Sequence, residues 1–318
     1  MYVNGAFLCS DVTAENIKKI SFDQSLMEER RMCEISEFAS DAAQAAVEML
    51  SEGYGIYEVL SVISEGLVSQ PIEIHESALT ENNVRLRSYL GLVNEYDKIV
   101  FTQLFVDMIA KKGILISEKD FLPSDAVNET FTYVKNPLAD EAYDVFSQDF
   151  VDPRVKYSDS LTEAAKAVSS GDTEYALLPL EERGGARLSA IAELLFREEL
   201  KINSVTPVFG YEGLADMKYA LVSKHFTVCD VNDEDDVYLE IRLKAVSSIP
   251  LSELFVAAEA FGKTLYRVNT ISFTTEDGDE QYFSVVFRDV GNDFSHLLIY
   301  LTLFSGAYTP IGLYKNLE

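Results

Sequence analysis

Apolar residues recur at helical spacing early in the chain. Ile35, Phe38, Ala42, Ala45 and Met49 fall on one face of a predicted helix, and the run SEGYG at 51–55 stops the pattern. A longer pattern, VRLRSYLGLVNEYDKIVFTQLFVDMIAKKG at 84–113, has a wide apolar stripe and ends at Gly113. A stripe of that width predicts burial against several neighbours or a partner chain. Residues 1–125 therefore read as a helical module.

The rhythm changes after about residue 126. TFTYVKN (130–136) and VKYSD (155–159) read as strands, with a helix over PLADEAYDVFSQDF between them. SLTEAAKAVSSG (160–171) reads as a helix capped by Ser160 and stopped by Gly171, with Leu161, Ala164, Ala165 and Val168 inward. YALLPL (175–180) is apolar throughout, as a strand buried on both faces would be. Leu188, Ile191, Ala192 and Leu195 mark another helix, and VTPVFG and KYALVSK two more strands. The alternation predicts an α/β layer with parallel pairing over 126–230.

The last part, 235–318, has a third pattern. VYLEIRL alternates: Val237, Leu239, Ile241 and Leu243 on one face, Tyr238, Glu240 and Arg242 on the other, a half-exposed strand. A helix face follows (Leu251, Leu254, Phe255, Ala258). Next come two strands around Asp277-Gly278, a second helix face (Phe294, Leu297, Leu298, Leu301) and a closing strand in PIGLYKN. The order βαββαβ is the ferredoxin-like plan.

Charge narrows the function classes. The 318 residues carry a net charge of −27, which argues against nucleic acid and anionic membrane, because no excess of Lys and Arg exists to neutralise phosphates. Apolar residues make up 47% of the chain, enough for a sizeable core. Cys9, Cys33 and Cys229 are scattered, which fits a reducing cytoplasm rather than a disulfide framework. The N-terminal stretch lacks the order of a signal peptide, and no apolar run is long enough to span a bilayer. His75, His225 and His296 are far apart. The acids Asp230, Asp233, Glu234, Asp235 and Asp236 lack the glycine and glutamate of a calcium loop, so the expectation is a solvated linker, no metal and no cofactor.

Several motifs in the second half together resemble prephenate dehydratases. TEAAKAVSSGDTEYALLPLEERGGA is similar to the stretch in which that family's strand ends in Pro-Ile-Glu-Asn-Ser. DMKYALVSK stands where the family has Thr-Arg-Phe, and Ile311-Gly312-Leu313-Tyr314 resembles the Leu-Gly-Ser-Tyr ending of its ACT domain. The resemblance covers roughly the last 190 residues. It implies a mixed α+β and α/β protein: a helical module (1–125), one periplasmic-binding-protein-like α/β lobe (126–230) and a C-terminal ferredoxin-like βαββαβ ACT domain (235–318).

The departures from the family matter as much. Its Gly-Thr-Phe-Ser loop falls near Asn136-Pro137-Leu138-Ala139, without hydroxyls. Its Glu-Asn-Ser becomes Glu181-Glu182-Arg183, and its threonine, arginine and phenylalanine fall on Lys218, Tyr219 and Ala220. The chain from Glu181 to Lys218 is too short for a complete second lobe, so the cleft is expected to have one wall. The resemblance puts ligand-binding candidates at Asn136, Glu181, Glu182, Arg183, Gly184, Gly185, Lys218 and Tyr219, with Arg187 as a further cation. Glu181, Arg183 and Lys218 are the catalytic candidates if the chain is an enzyme. Effector positions fall on Ile249, Pro250 and Leu251 and on Asn269, Thr270 and Ile271, where the family's reporting carboxylate and guanidinium are missing.

Three functions stay open. The altered motifs favour a catalytically degenerate regulatory or binding protein, homodimeric, taking an aromatic amino acid or a carboxylate. The second is an active dehydratase with a rearranged site, completed by the N-terminal helices or a partner chain. The third is a structural interaction module. For the turn after Glu181 itself, a solvated connection with a surface ion pair between neighbours is the favoured expectation.

Overall fold

The computed structural model describes residues 14–67, 94–122, 129–182, 185, 187–210, 214–226, 236–245, 249–275, 278–290, 293–306 and 308–317. Arg183, Gly184, His75, Cys9, Cys229 and most of the acidic run at 230–236 lie outside them.

Helices come first: α1 (Ala14–Ser51), α2 (Ile56–Gly66), α3 (Glu95–Lys111) and the single turn α4 (Glu118–Phe121). The inward face of α1 is as its spacing predicts, with Ile35, Phe38, Ala42, Ala45 and Met49 all buried. Gly53, at φ +95°, turns the chain after α1. The long pattern at 84–113 is shorter as a helix. Asn94 caps α3, its side-chain oxygen accepting the Asp97 N–H at 2.8 Å. Residues 84–93 lie outside the described part.

The rest builds one nine-stranded sheet in the order β2-β1-β3-β5-β4-β9-β6-β8-β7. The lobe supplies β1 (Thr130–Tyr133), β2 (Arg154–Tyr157), β3 (Tyr175–Glu182), β4 (Lys201–Val208) and β5 (Met217–Ser223), with helices α5 (Pro137–Phe146), α6 (Leu161–Ser169) and α7 (Ser189–Arg197). Within the lobe, β1–β2 and β1–β3 are parallel, and β3–β5 and β4–β5 are antiparallel. The all-parallel expectation fails because β4 and β5 have no helix between them, and a direct return forces antiparallel pairing.

The C-terminal unit is β6 (Asp236–Lys244), α8 (Leu251–Ala260), β7 (Thr264–Thr275), β8 (Gly278–Val290), α9 (Ser295–Phe304) and β9 (Tyr308–Lys315). Its strands run β9-β6-β8-β7, antiparallel throughout, which is the ferredoxin-like order. The chain is thus a mixed α/β protein. Among the described residues, no helix is long and apolar enough to cross a membrane.

The two faces of β6 differ from the expectation of one wet side. Val237, Leu239, Ile241 and Leu243 join the core beneath α8 and α9, and that core runs on into α1, α2 and α3. Lys98 of α3 pairs with Glu253 of α8 at 2.6 Å, and the Tyr300 hydroxyl donates to the same carboxylate at 3.0 Å. Tyr238 and Glu240, on the other face, are also buried. Tyr238 belongs with Val286, Ile311 and Tyr314 to a core shared with α6, α7 and β3–β5 of the lobe. The "half-exposed" strand is therefore covered on both sides, one by helices and the other by the lobe.

Lobe and C-terminal unit meet within the sheet at a narrow place. Ile202 of β4 is in parallel register with Gly312 of β9, and an isolated bridge joins Val205 to Asn316. A Cβ at Gly312 would stand 2.8 Å from both Ile202 Cβ and Ile202 O. Glycine is required there for the two strands to close.

Candidate functional site

β3 carries Glu181 at its end, and a β-bulge between Pro179 and Glu181 re-aims the strand there. Register places Glu181 opposite Lys218 and Glu182 opposite Met217 on β5. Glu182 is exposed and Lys218 half-buried. Glu181 is only 3% exposed. Glu181 itself is therefore not solvated; the residues that follow Glu182 in the expected solvated turn, Arg183 and Gly184, lie outside the described part.

One partner comes from the far end of the sheet and one from across its own turn. The Arg267 guanidinium on β7 donates from Nη1 to Glu181 Oε1, and Arg187 Nη2 lies 3.8 Å from the same oxygen. Arg187 Nη2 also donates to Glu240 Oε2 of β6 at 2.6 Å. Glu240 accepts two more hydrogen bonds: from Ser284 Oγ on β8 at 2.8 Å and from the Tyr314 hydroxyl on β9 at 3.2 Å. Six strand steps separate β3 from β7. At about 4.8 Å per step a flat sheet would hold them about 29 Å apart. The direct contact requires a strongly curled sheet, with the β3–α7 turn folded over the C-terminal unit. Gly185, at φ +81°, makes that turn close to the Arg267 guanidinium, which a Cβ would meet at 3.6 Å.

Electrostatics follow from burial and pairing. Burial pushes the Arg187 guanidinium down, but Glu240, Tyr314 and Glu181 outweigh it, so its net shift is upward. Burial, then Glu240, raises the Tyr314 phenol well above its ordinary value. For Arg267 the hydrogen bond to Glu181 overcomes burial and the shift is again upward. Satisfaction is incomplete: Glu181 Oε2, Arg187 Nε and Nη1, and Asn269 Nδ2 are buried without a protein partner. Next to this network, Arg242 has its guanidinium 4.6 Å from the Phe196 ring of α7. Burial lowers it to about 10.

The other candidates do not join this cluster. The Asn136 oxygen caps α5, accepting the Ala139 N–H at 3.0 Å, and receives the Tyr219 hydroxyl at 3.4 Å. Tyr219 packs in the core beneath α5, whereas Glu181 is tied to the seam beside the core beneath α6 and α7. The structure thus brings Asn136 to Tyr219, and Glu181 to Lys218 by register, but it does not gather the four around one cavity. Arg183 and Gly184 lie outside the described residues. Of the effector positions, Ile249 is buried, Pro250 precedes α8, and Leu251 opens it. Asn269, Thr270 and Ile271 lie on β7 opposite Ser284, Phe283 and Tyr282. Asn269 is thus the register neighbour of Ser284.

Glu240, Arg267, Ser284 and Tyr314 carry this site, and sequence reading assigned none of them to it. The available signal was faint: Glu240 and Arg242 alternate with apolar residues, which reads as a solvent face until the lobe covers it. The described N-terminal helices pack on α8 and α9 and do not stand over the end of β3. They line a separate groove of about 1110 Å³ between α1 and the start of α3, bordered by Met27, Arg31, Asn94 and Tyr96. Among the described residues no three His, Cys, Asp or Glu side chains group as a metal would need.

No protein-family model matches the chain, and no curated protein matches it. Solved structures do. A prephenate dehydratase from Streptococcus mutans is similar at 14% identity and TM-score 0.46, over 60% of this chain and 100% of that one. A quorum-quenching acylase is similar at 16% and 0.43, over 59% of this chain and 95% of that one. A prephenate dehydratase from Arthrobacter aurescens, in complex with L-Phe, is similar at 14% and 0.42, over 58% and 89%. Likeness at this level leaves activity and ligand to be argued from the residues.

Proposed function

We propose that the chain is a catalytically degenerate prephenate dehydratase-like protein with a regulatory or small-molecule-binding role, acting as a homodimer in the cytoplasm. The observation that carries this reading is the state of Glu181. It is the one acid kept from the family's site motifs, and it is buried and paired with Arg267 beside Arg187. Expelling a hydroxyl needs a proton donor within reach of the substrate and a preorganised site for its anionic groups. A carboxylate held in a sealed seam offers neither. Lys218, its register partner, replaces a neutral hydroxyl donor with a cation.

The test is purified protein with prephenate, followed by phenylpyruvate formation, with Lys218→Ala and Glu181→Gln as controls. No turnover above a buffer blank is expected. Turnover that both substitutions abolish would replace this reading with an active dehydratase built on a rearranged site.

Dimerisation has its own support. Among the described residues β7 is the last strand of the sheet, twelve residues long, and exposes Leu265, Tyr266 and Val268. Long apolar edges are normally paired or protected. Light scattering at micromolar concentration should give twice the 35.6 kDa chain mass; a monomer would remove this part of the reading. Asn269 Nδ2, buried without an acceptor, supports a small polar ligand. Aromatic amino acids and their carboxylate precursors should raise the melting temperature if one binds only the folded state.

A further inference from the structure

The two ion pairs of the seam are reciprocal. The lobe gives one acid and one base, Glu181 and Arg187, from either side of a single turn. The C-terminal unit gives one base and one acid, Arg267 on β7 and Glu240 on β6. Each lobe residue takes its opposite from the other unit. Within the sheet, strand pairing joins the two units at Ile202–Gly312 and Val205–Asn316 among the described residues, with side-chain hydrogen bonds from Lys201 Nζ to Pro310 O and from Thr206 Oγ1 to Leu317 O beside them. A junction so narrow leaves the curl of the sheet weakly determined by backbone pairing. The contacts that bring β7 back to β3 are the ion pairs and the α7 packing beside them, where Phe196 stacks on Phe273 with ring centroids 4.1 Å apart, set on the apolar core in which Tyr238, Val286 and Tyr314 meet the lobe.

We infer that Glu181, Arg187, Glu240 and Arg267 form a clasp that holds the curled sheet closed and couples β7, the outermost described strand, to the end of β3. β7 is suited to the sending end. Its register shifts between Leu265 and Arg267, so Arg267 sits beside an irregularity in the outermost described strand. The receiving end is the β3–α7 turn, where the Gly185 N–H donates to Glu182 O at 3.0 Å and the Leu188 N–H to Leu180 O at 3.1 Å. Pulling Arg267 away leaves the Glu181 carboxylate buried beside Arg187 alone, and the turn must then loosen for water to reach it. This coupling is independent of whether the chain turns over prephenate.

Hydrogen–deuterium exchange on the whole protein tests it, with Arg267→Met and Glu181→Gln compared with the parent. The amides of Gly185 and Leu188 should exchange at least about 10-fold faster in either variant, while those of β1 and α5 stay unchanged. The double variant should add nothing further, because each substitution opens the same clasp. If Arg267→Met does not fold, Arg267→Lys keeps the charge but loses the planar fork, and the same two amides should accelerate less. Unchanged exchange at Gly185 and Leu188, or an increase spread evenly over the chain, would overturn the proposal.

Discussion

The two faces of the C-terminal sheet make opposite use of the same strands. On one, Leu239, Ile241, Val285 and Phe287 meet helices through apolar contact. On the other, Tyr238 and Val286 share an apolar core with the lobe, and beside it Glu240, held by Ser284, meets the lobe through an ion pair with Arg187. The apolar face needs only shape and area, and it tolerates many partners. The charged face is selective: each buried charge is costly unless one particular partner is in place. Both faces therefore supply apolar burial, and the charged pairs on the second specify which element may close over it.

Substitutions on each face sharpen that contrast. The largest effect expected on the helical face is from Phe287→Ala, which removes a fully buried ring; a loss of about 3–5 kcal/mol should appear in urea unfolding. Between the faces, Gly312→Ala forces a methyl into Ile202. About 1–3 kcal/mol should be lost, with the β4 and β9 amides the first to lose exchange protection. Arg242→Met should cost less than about 1 kcal/mol or stabilise, since its guanidinium rests on Phe196 and burial disfavours its charge. A large loss there would show that the charged face depends on every cation, not on its pairs.

The smallest expected effect is in alkaline solution. Burial raises Tyr300, Tyr308 and Tyr314 above the ordinary phenol value, so above about pH 10 the unfolded chain loses these protons first and stability falls. Arg242 acts in the opposite sense. Its folded value of about 10 lies below the ordinary guanidinium value, so the unfolded chain holds more protons and stability rises with pH above about 10. The tyrosines outnumber it and the net slope should be downward. Urea midpoints between pH 8 and 11 should fall more steeply in Arg242→Met than in the parent.

Much of the architecture was legible in sequence because burial on one face leaves a period. The α1 face and the βαββαβ order could be read from spacing alone. The start of α3 was not, since Leu90 and Leu92 continue the apolar stripe upstream while the helix begins only at the Asn94 cap. The site was legible in part. Glu181 was singled out through its motif, but its state was not, because Arg267 lies 86 residues away on a strand six places across the sheet. Polar residues alternating on β6 look solvated unless the covering element is known. Pairing across a curled sheet leaves no local pattern.

The most direct test of the account is a double-mutant cycle on Arg187 and Glu240. Arg187→Met and Glu240→Leu, taken singly, should each cost about 3–5 kcal/mol, since each strands one buried charge. Together they should cost far less than the sum, because two apolar side chains then face each other where a paired charge stood. A double variant as unstable as the two losses added would contradict the claim that this seam is held by specific pairs.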